Sequence, residues 1–378
     1  MRYNPAMPKI DIQLPVVALR DYSVHVDSGL LGRLGKLVRQ IAPAPVCALI
    51  TDSVVAELYG QQARDSLEQA GFKVTMFVFP AGESSKTTRT VEAAYDVLLT
   101  ARPERRSPVV ALGGGVVGDL AGFVAATLLR GVPFVQVPTT LLAAVDASVG
   151  GKVGVDHAHG KNMIGAFHHP CAVLMDVLTL GTLPKIELQC GLAECVKHAI
   201  IRDAGLFDFI GANLPAILAG NSDVLAELVA WNVRIKSAIV MADPYEQGER
   251  AVLNLGHTFG HALETLAGYK GLKHGQAVGL GTMAASTMAR NRGILEETSH
   301  KKIEALLRRI GLLEAPPAVD ITAVMALMDG DKKVRDGRLR LILPTAIGAA
   351  EIICDARPDE IAAALEAIAS PLNRGEGR

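Results

Sequence analysis

Two stretches of the chain carry carboxylate, ammonium and imidazole groups at helical spacing. Glu194, Lys197 and His198 lie at positions i, i+3 and i+4, and His257 and His261 are four residues apart. Residues at these spacings share one face of a helix. One carboxylate with two or three imidazoles is the donor set of a zinc ion that keeps an open position for substrate. These spacings therefore indicate a divalent metal site.

Two further residues belong with this candidate metal site. Glu264 lies on the same helical face as His257 and His261, and His274 follows in what we expect to be a short connection flanked by glycine. The sequence HTFGH has the spacing of a zinc-protease H-E-x-x-H motif, but Thr258 replaces the glutamate that serves as general base. Any one of these histidines could equally be a core or surface residue, so both interpretations stay open.

A glycine-rich turn predicts the binding of a phosphorylated cofactor. Residues 113–118 read GGGVVG, satisfy G-x-G-x-x-G, and stand between a predicted strand and a predicted helix. Glycines let backbone N–H groups approach a pyrophosphate at a helix N-terminus. The acidic residue expected about 20 positions later is missing, because residues 133–137 read PFVQV. A tight turn without ligand is the alternative, and ribose contacts would come from Asp52 or the loop 82–86.

A second glycine-rich segment, residues 146–167, contains Lys152, Lys161 and Asn162. We expect a glycine-rich loop, and a loop that carries two lysines and an amide suits a phosphate or a carboxylate, which needs backbone donors and positive charges. A solvated loop is the alternative, although apolar residues alternate with the glycines. Lys236, Arg250 and the run DKK at 331–333 add cations that an exposed charged surface would also explain.

The elements that must position these residues change in kind along the chain. Short β-branched runs at residues 46–50, 74–79, 109–112 and 134–137 alternate with helical patterns at 53–70, 87–100 and 119–129. This alternation is typical of βαβ units with a mostly parallel, Rossmann-like sheet. After residue 182 the periodicity is helical, at 187–201, 223–241, 258–267, 276–290 and 300–310, with one late strand at 339–343. We therefore expect an α/β domain over residues 1–181 and a mainly helical domain over 182–378.

Composition excludes several classes of function. The chain has 378 residues, a net charge of −1 and 4% aromatic residues, so it lacks the basic footprint and stacking surfaces of nucleic-acid-binding proteins. Its apolar run at residues 120–129 stops at Arg130 and is too short to span a bilayer. Five cysteines without C-x-x-C spacing, and an N-terminus interrupted by prolines and charges, predict a reduced cytoplasmic protein without a signal peptide or a disulfide framework.

Taken together, the motifs resemble those of the 3-dehydroquinate synthase family. The resemblance covers roughly residues 80 to 335 and rests on GGGVVGDLAGF at 113–123, VPTTLLAAVDASVGG at 137–151, GKNMIGAF at 160–167, GLAECVKH at 191–198, NLGHTFGHALE at 254–264 and the DKK run. It implies an N-terminal domain that binds NAD, a helical domain that holds a divalent metal (zinc, with cobalt as the alternative), and a homodimer.

The resemblance also implies roles for individual residues. The metal ligands would be Glu194, His257 and His274. The NAD-binding residues, with Asp52 added from its strand-end position, would be Asp52, Glu83, Lys86, Gly114, Gly115, Val116, Val117, Gly118, Asp119, Thr139, Thr140, Lys152, Lys161, Thr179 and Thr182. The catalytic residues would be Asp146, Lys152, Lys197, Arg250, Asn254 and His261. The remaining substrate-binding residues would be Arg130, Asn162, Lys236 and Lys332, with Arg130 reaching the partner's site.

The implied reaction belongs to the shikimate route to aromatic amino acids. It turns 3-deoxy-D-arabino-heptulosonate 7-phosphate into 3-dehydroquinate and phosphate by transient oxidation with NAD, phosphate elimination, re-reduction, ring opening and aldol closure. We expect Lys152, Asn162, Lys197 and Arg130 near the phosphate, and Lys236, Arg250 and Lys332 near the carboxylate. The substrate's own phosphate is a candidate base for the elimination.

Three other interpretations remain open. The chain could be another sugar-phosphate cyclase, a polyol dehydrogenase of related fold, or a catalytically inactive nucleotide-binding or scaffold protein. Gly260-His261 and the DKK run favour dehydroquinate synthase among the cyclases, and the number of cations disfavours a polyol dehydrogenase. Two departures from the family pattern are Gln276, which follows His274-Gly275 where glutamate is usual, and Ala81, which follows Pro80 where a polar residue is usual.

Overall fold

The structure of the chain is a computed structural model. It describes residues 21–246, 248–268, 271–313, 320–329, 334–335 and 338–369. The first half of the described chain contains β1 (Ser23–Asp27), β2 (Val46–Asp52), β3 (Lys73–Phe79), β4 (Val109–Gly113), β5 (Phe134–Pro138), β6 (Lys152–His157), β7 (Gly160–Phe167) and β8 (Ala172–Asp176). The helices between them are α1 (Leu34–Ile41), α2 (Ser53–Val55), α3 (Gln61–Gln69), α4 (Thr88–Thr100) and α5 (Gly115–Thr127).

Six of these strands form one parallel sheet in the order β1-β8-β5-β4-β2-β3. The chain moves outward from β2 to β3 and then returns to the other side of β2 to form β4. Strand order therefore reverses between β2 and β4, and open α/β sheets bind ligands in the crevice at that reversal. The predicted parallel sheet is confirmed, and β1 and β8 extend it at an edge that the sequence analysis did not predict.

The central strands β2, β4, β5 and β8 are buried on both faces, which explains their continuous apolar runs. Alternate residues of β4 pack to opposite sides: Val109 and Ala111 lie in a cluster with α4 and α5, whereas Val110 and Leu112 lie in a cluster with α1 and α3. The sheet is thereby a rigid platform whose carboxyl edge is the end at which polar residues accumulate.

The glycine-rich segment at residues 146–167 is mostly not a loop. A π-helical turn at Ala143–Ala147 leads into an antiparallel hairpin of β6 and β7, with Gly154 paired to Gly165. Only glycine fits at position 154, because a Cβ there would lie 2.5 Å from the Ile164 carbonyl oxygen. The expected loop was wrong, and the hairpin holds Lys152, Lys161 and Asn162 in fixed register.

The second half of the described chain is mainly helical, as predicted. It contains α6 (Lys185–Arg202), α7 (Ala204–Leu218), α8 (Ser222–Ala242), α9 (His257–Leu266), α10 (His274–Asn291), α11 (Glu297–Ile310), α12 (Ile321–Asp329) and α13 (Pro358–Ile368). Two small hairpins lie between the last two helices: β9 (Val334–Arg335) with β10 (Arg338–Leu339), and β11 (Leu341–Ala346) with β12 (Ala349–Ile353).

The helices share one apolar core, to which Leu141 and Val145 of the first half also contribute. Cys190 and Cys195 are buried in the protein. No helix within the described ranges combines the length and apolarity needed to cross a membrane.

Candidate active site

Polar residues collect where the parallel strands end. Asp52 ends β2, Gly113 ends β4, and Thr139 follows β5 and donates its backbone N–H to the Gly113 carbonyl at 3.0 Å. A Cβ on Gly114 would lie 3.2 Å from the Thr140 methyl carbon. The glycine turn therefore packs against the residues after β5 with little room for a side chain at position 114. The backbone of this turn, which opens α5, faces the crevice at which strand order reverses.

Two of the predicted NAD-binding side chains, Lys86 and Asp119, form an ion pair, and a third, Asp52, lies at the end of β2. The Lys86 ammonium is buried and donates to Asp119 Oδ2 at 2.6 Å and to Asn162 Oδ1 at 2.5 Å. Asp52 accepts from the backbone N–H groups of Val54 and Val55 through one carboxylate oxygen, which caps α2, and among the described residues its second oxygen has no hydrogen bond. The sequence analysis placed Asn162 at the substrate phosphate, but in the structure its side chain is joined to the Lys86–Asp119 pair.

Thr179 and Thr182, near the carboxyl edge of the sheet, form hydrogen bonds with other residues of the protein. Thr179 is buried and donates to the Asp176 carbonyl at 2.7 Å, and the Thr182 hydroxyl lies 2.6 Å from that of Tyr59. Both lie on the short helical segment Val177–Thr182 that follows β8. This segment carries the chain from the sheet to α6.

The predicted metal ligands Glu194, His257 and His274 lie close together, with their ligand atoms within 4.8 Å of one another. The His257 and His274 Nε2 atoms lie 3.5 Å and 3.6 Å from Glu194 Oε1. His257 directs Nδ1 at the Leu255 carbonyl oxygen (3.1 Å), and His274 directs Nδ1 at Glu264 Oε2 (3.4 Å). A hydrogen on Nδ1 leaves the Nε2 lone pair free, and outer partners of this kind fix metal-ligating histidines.

The charge states of Glu194, His257 and His274 favour the binding of a cation between them. Burial opposes the charged form of Glu194, but the Lys197 ammonium outweighs it and holds the pKa of the Glu194 carboxyl well below the usual range. Burial, with Lys197, lowers the pKa of His257 far below its usual value, so His257 is neutral. Burial disfavours protonated His274, yet Glu194 and Glu264 raise its pKa to about 10. A buried anion thus draws a proton onto a neighbouring imidazole where a divalent cation would fit.

Both Glu194 oxygens are buried without a hydrogen bond of good geometry, although Lys197 forms an ion pair with Oε2. Within the described residues, the chain offers two other sets of three metal-binding groups: His261, Glu264 and His274, and Asp146, Glu194 and His198. The first shares His274 and the second shares Glu194 with the predicted triad. Glu194 Oε1, which is buried without a hydrogen bond of good geometry and faces the Nε2 atoms of His257 and His274, favours the predicted triad.

The triad depends on a very close approach of two helices. His274 is the first residue of α10, not part of a loop as expected, and Gly275 follows it against α6. A Cβ on Gly275 would lie 2.2 Å from the Cα of Cys190, one turn before Glu194. Gln276, which stands where glutamate is usual in the family, accepts from the Lys273 backbone N–H at 3.0 Å. A glutamine at this position can therefore cap α10.

A cationic cluster lies beside the triad. Asp146 Oδ1 accepts from Lys236 at 2.6 Å and lies 4.0 Å from both Lys197 Nζ and His198 Nε2. Lys236 and Lys197, which were expected at opposite ends of the substrate, thus share one carboxylate. Burial opposes the Asp146 anion, but Lys236 and Lys197 outweigh it and hold the pKa of its carboxyl far below the usual value.

Arg250 is buried against the glycine turn that precedes β6. Its guanidinium donates to the Pro244 carbonyl at 2.7 Å and to the Gly150 carbonyl at 3.4 Å. Close by, Glu246 forms an ion pair with Lys152 and accepts from Asn254 at 3.4 Å. Glu246 joins two predicted site residues, but it is one of three acidic residues in DPYEQGER and has no informative spacing, so the sequence did not single it out.

The remaining predicted residues are placed as follows. Lys161 lies 3.5 Å from Glu264 and 4.0 Å from Glu83, so it links the hairpin to both halves of the chain. His261 lies on α9, with its ring 5.4 Å from that of His257. Arg130 is exposed just after α5, about 20 Å along that helix from the glycine turn. Lys332 lies outside the described residues.

Comparison with known proteins gives a consistent result. The family model described as "3-dehydroquinate synthase N-terminal" matches residues 76–190, and "3-dehydroquinate synthase C-terminal" matches residues 191–334. A curated 3-dehydroquinate synthase of Symbiobacterium thermophilum is 47% identical over 92% of this chain and 98% of its own length.

Two solved structures are also similar. The 2-epi-5-epi-valiolone synthase of Streptomyces hygroscopicus subsp. jinggangensis, solved with NAD⁺ and Zn²⁺, has a TM-score of 0.86 and 29% identity, and the match covers 94% of this chain and 99% of that one. A 2-deoxy-scyllo-inosose synthase, solved with carbaglucose-6-phosphate, NAD⁺ and Co²⁺, has a TM-score of 0.83 and 25% identity, with 90% and 95% covered.

Proposed function

The chain belongs to the 3-dehydroquinate synthase family, and from this premise we propose that it converts 3-deoxy-D-arabino-heptulosonate 7-phosphate into 3-dehydroquinate and phosphate. It is a lyase of the shikimate pathway that depends on NAD and a divalent metal. The observation that carries the proposal is the convergence of Glu194, His257 and His274 on one point. The cationic cluster at Asp146 and the glycine turn at Gly114 support it.

The residues present fit a divalent cation such as zinc or cobalt. Glu194 supplies an anionic oxygen, His257 supplies a neutral Nε2 atom, and His274 would supply its Nε2 atom once a bound cation displaces the proton; both rings are held through Nδ1. When bound, the cation polarises substrate oxygens, and NAD is a reversible acceptor of hydride. Glu264 positions His274, so we propose for Glu264 a supporting role next to the ligands.

The NAD-binding residues lie at the crevice between β2 and β4. The backbone N–H groups at Gly114 and Gly115 and the N-terminus of α5 suit the pyrophosphate, since they bring fixed positive partial charge to an anion. We propose that the Lys86–Asp119 pair and Lys161 form the neighbouring wall of the site. The free oxygen of Asp52 is placed to accept from a ribose hydroxyl.

Proton handling and anion binding fall to the cationic cluster. Lys197 and Lys236 hold Asp146 ionised, so this carboxylate orients substrate hydroxyls as an acceptor. Lys152, Arg250 and Asn254 provide donors for an anionic end of the substrate. We propose that His261 moves a proton near the metal ligands and that the leaving phosphate removes the proton of the adjacent C–H, so that the electron pair of that bond expels the phosphate.

We further propose an assembly and a location. Arg130 is exposed at the far end of α5 and forms no ion pair within the described ranges, which suits a residue that completes a partner's site in a homodimer. The balanced charge and free cysteines suit the cytoplasm. The chain would divide at residues 181 and 182, between the end of β8 and the start of α6.

The experiment is an assay of phosphate release and product identity. Purified protein is incubated with the heptulosonate phosphate, catalytic NAD⁺ and zinc, with and without a chelator. We expect 3-dehydroquinate and phosphate in equal amounts, no net NADH, and loss of turnover with chelator. Turnover of glucose 6-phosphate instead would identify another cyclase, and NADH accumulation with glycerol would identify a polyol dehydrogenase; either result would overturn the proposal.

A further inference from the structure

Tyr22, immediately before β1, makes a contact that the proposed reaction does not use. Its hydroxyl accepts a hydrogen bond from the Gly150 backbone N–H at 3.3 Å. The carbonyl of the same glycine accepts from both terminal nitrogens of Arg250, at 3.4 Å each. One residue of the backbone therefore connects a phenol at the edge of the sheet to a guanidinium of the candidate site.

The Gly150–Gly151 turn is held tightly between two side chains. Both residues have left-handed backbone, with φ of 107° and 67°. A Cβ on Gly150 would lie 2.2 Å from Arg250 Nη2, and a Cβ on Gly151 would lie 2.9 Å from the ring of His169. Only glycine fits both the conformation and the space. The guanidinium lies on one glycine and the imidazole on the other, so a shift of the turn must move Arg250.

Arg250 has N–H donors that no described residue accepts, and these donors could bind an anion. The guanidinium is buried, and its bonds go from Nη1 to Pro244 and from both Nη atoms to Gly150. In the part of the chain that the structure describes, Nε has no acceptor. An arginine offers five N–H donors in a fixed plane, so those left over can bind an anion in one orientation only.

We propose that Tyr22 is a positioning residue: through Gly150 it sets the orientation of the Arg250 guanidinium toward the substrate anion, and His169 supports the same turn from its other side. This rests on the proposed function for the identity of the anion. Within the described residues, the contacts of Tyr22 with Gly150 and with the ring of His169 involve neither the metal ligands nor the glycine turn at Gly114. Its effect is confined to substrate affinity, because the bond from Arg250 to a fixed anionic group is the same before and during the reaction.

The test compares Tyr22→Phe, which removes only the hydroxyl, with the matched control Tyr95→Phe, whose hydroxyl contacts Thr127 at 2.5 Å on the surface. We expect Tyr22→Phe to raise KM and the calorimetric Kd for the heptulosonate phosphate about three- to tenfold, the range of one hydrogen bond. The kcat, the melting temperature and the NAD⁺ affinity should stay close to wild type. An unchanged KM and Kd, or a fall in kcat alone, would overturn the inference.

A second measurement does not depend on the reaction. Phenylglyoxal labelling of Arg250, mapped by mass spectrometry without substrate, should be faster in Tyr22→Phe than in wild type and unchanged in Tyr95→Phe. In an Arg250→Ala background, Tyr22→Phe should change the substrate Kd less than twofold, because the residue through which it acts is gone. Equal labelling in all three proteins, or a full effect on top of Arg250→Ala, would contradict the inference. If wild type lacked synthase turnover, the labelling result would still decide it.

Discussion

The buried side chain of His198 should make the free energy of unfolding depend on pH. It is buried on α6, and its Nδ1 lies 3.1 Å from Asn232 Oδ1. Asn232 donates its own amide to the Leu228 carbonyl, so its Oδ1 is the acceptor and His198 carries its hydrogen on Nδ1. The Nε2 atom is buried without a hydrogen-bond partner. The folded protein therefore holds a neutral imidazole in a place where protonation is costly.

The magnitude follows from the shift in pKa. Burial, with Lys197, lowers the pKa of His198 from 6.5 to about 4. In the unfolded chain the histidine binds a proton below its ordinary pKa, so its contribution to stability is present above pH 6.5 and is lost as the pH falls toward 4. Each pKa unit corresponds to about 1.4 kcal/mol, which gives about 3 kcal/mol in all and about 2 kcal/mol of loss between pH 7 and pH 5.

The assay is urea unfolding of wild type and His198→Gln at pH 7 and pH 5. The variant should lose about 2 kcal/mol less than wild type over this interval. His25→Gln, at an exposed position on β1, is the matched control and should keep the wild-type dependence. If His198→Gln loses as much stability as wild type, the assignment of a neutral, costly imidazole is wrong.

Three further predictions concern the site. Gly275→Ala should lower zinc affinity more than tenfold, measured by competition with a chelator, because its Cβ would meet the Cys190 backbone at 2.2 Å; unchanged affinity would show that the close approach of α6 and α10 is not needed. Asp146→Asn should lower the free energy of unfolding by roughly 3 kcal/mol in urea, since Lys236 and Lys197 lose their shared carboxylate; a stability equal to wild type would contradict this. Lys86→Met should weaken NAD⁺ binding in calorimetry while zinc content stays constant, because Asp119 loses its buried partner; equal affinity would remove Lys86 from the NAD site.

Local patterns were enough to predict the parts of the site that lie on single helices. The spacing of His257 and His261 required only helical periodicity, and both lie on α9. The short β-branched runs at residues 46–50 and 109–112 likewise predicted two central strands of the sheet, β2 and β4. The glycine turn was found because its sequence follows a buried strand, which is the context that gives such a motif meaning.

What was missed depends on contacts between distant segments. The helix α5 begins at Gly115 rather than Asp119, because packing on the sheet overrides the weak helix propensity of glycine and valine. The hairpin β6–β7 was taken for a loop although Val153 and Val155 alternate as in a strand. Glu246 carries no local signal, and its pairing with Lys152 is set by the packing of two halves of the chain.

The central claim is that Glu194, His257 and His274 bind one divalent cation. The most direct measurement is titration with Co²⁺, followed by its visible absorption, in wild type, Glu194→Gln and His261→Ala. We predict a saturable band with one ion per chain in wild type and in His261→Ala, and loss of this band in Glu194→Gln. A band that survives in Glu194→Gln and disappears in His261→Ala would place the ion at His261, Glu264 and His274 and contradict the account.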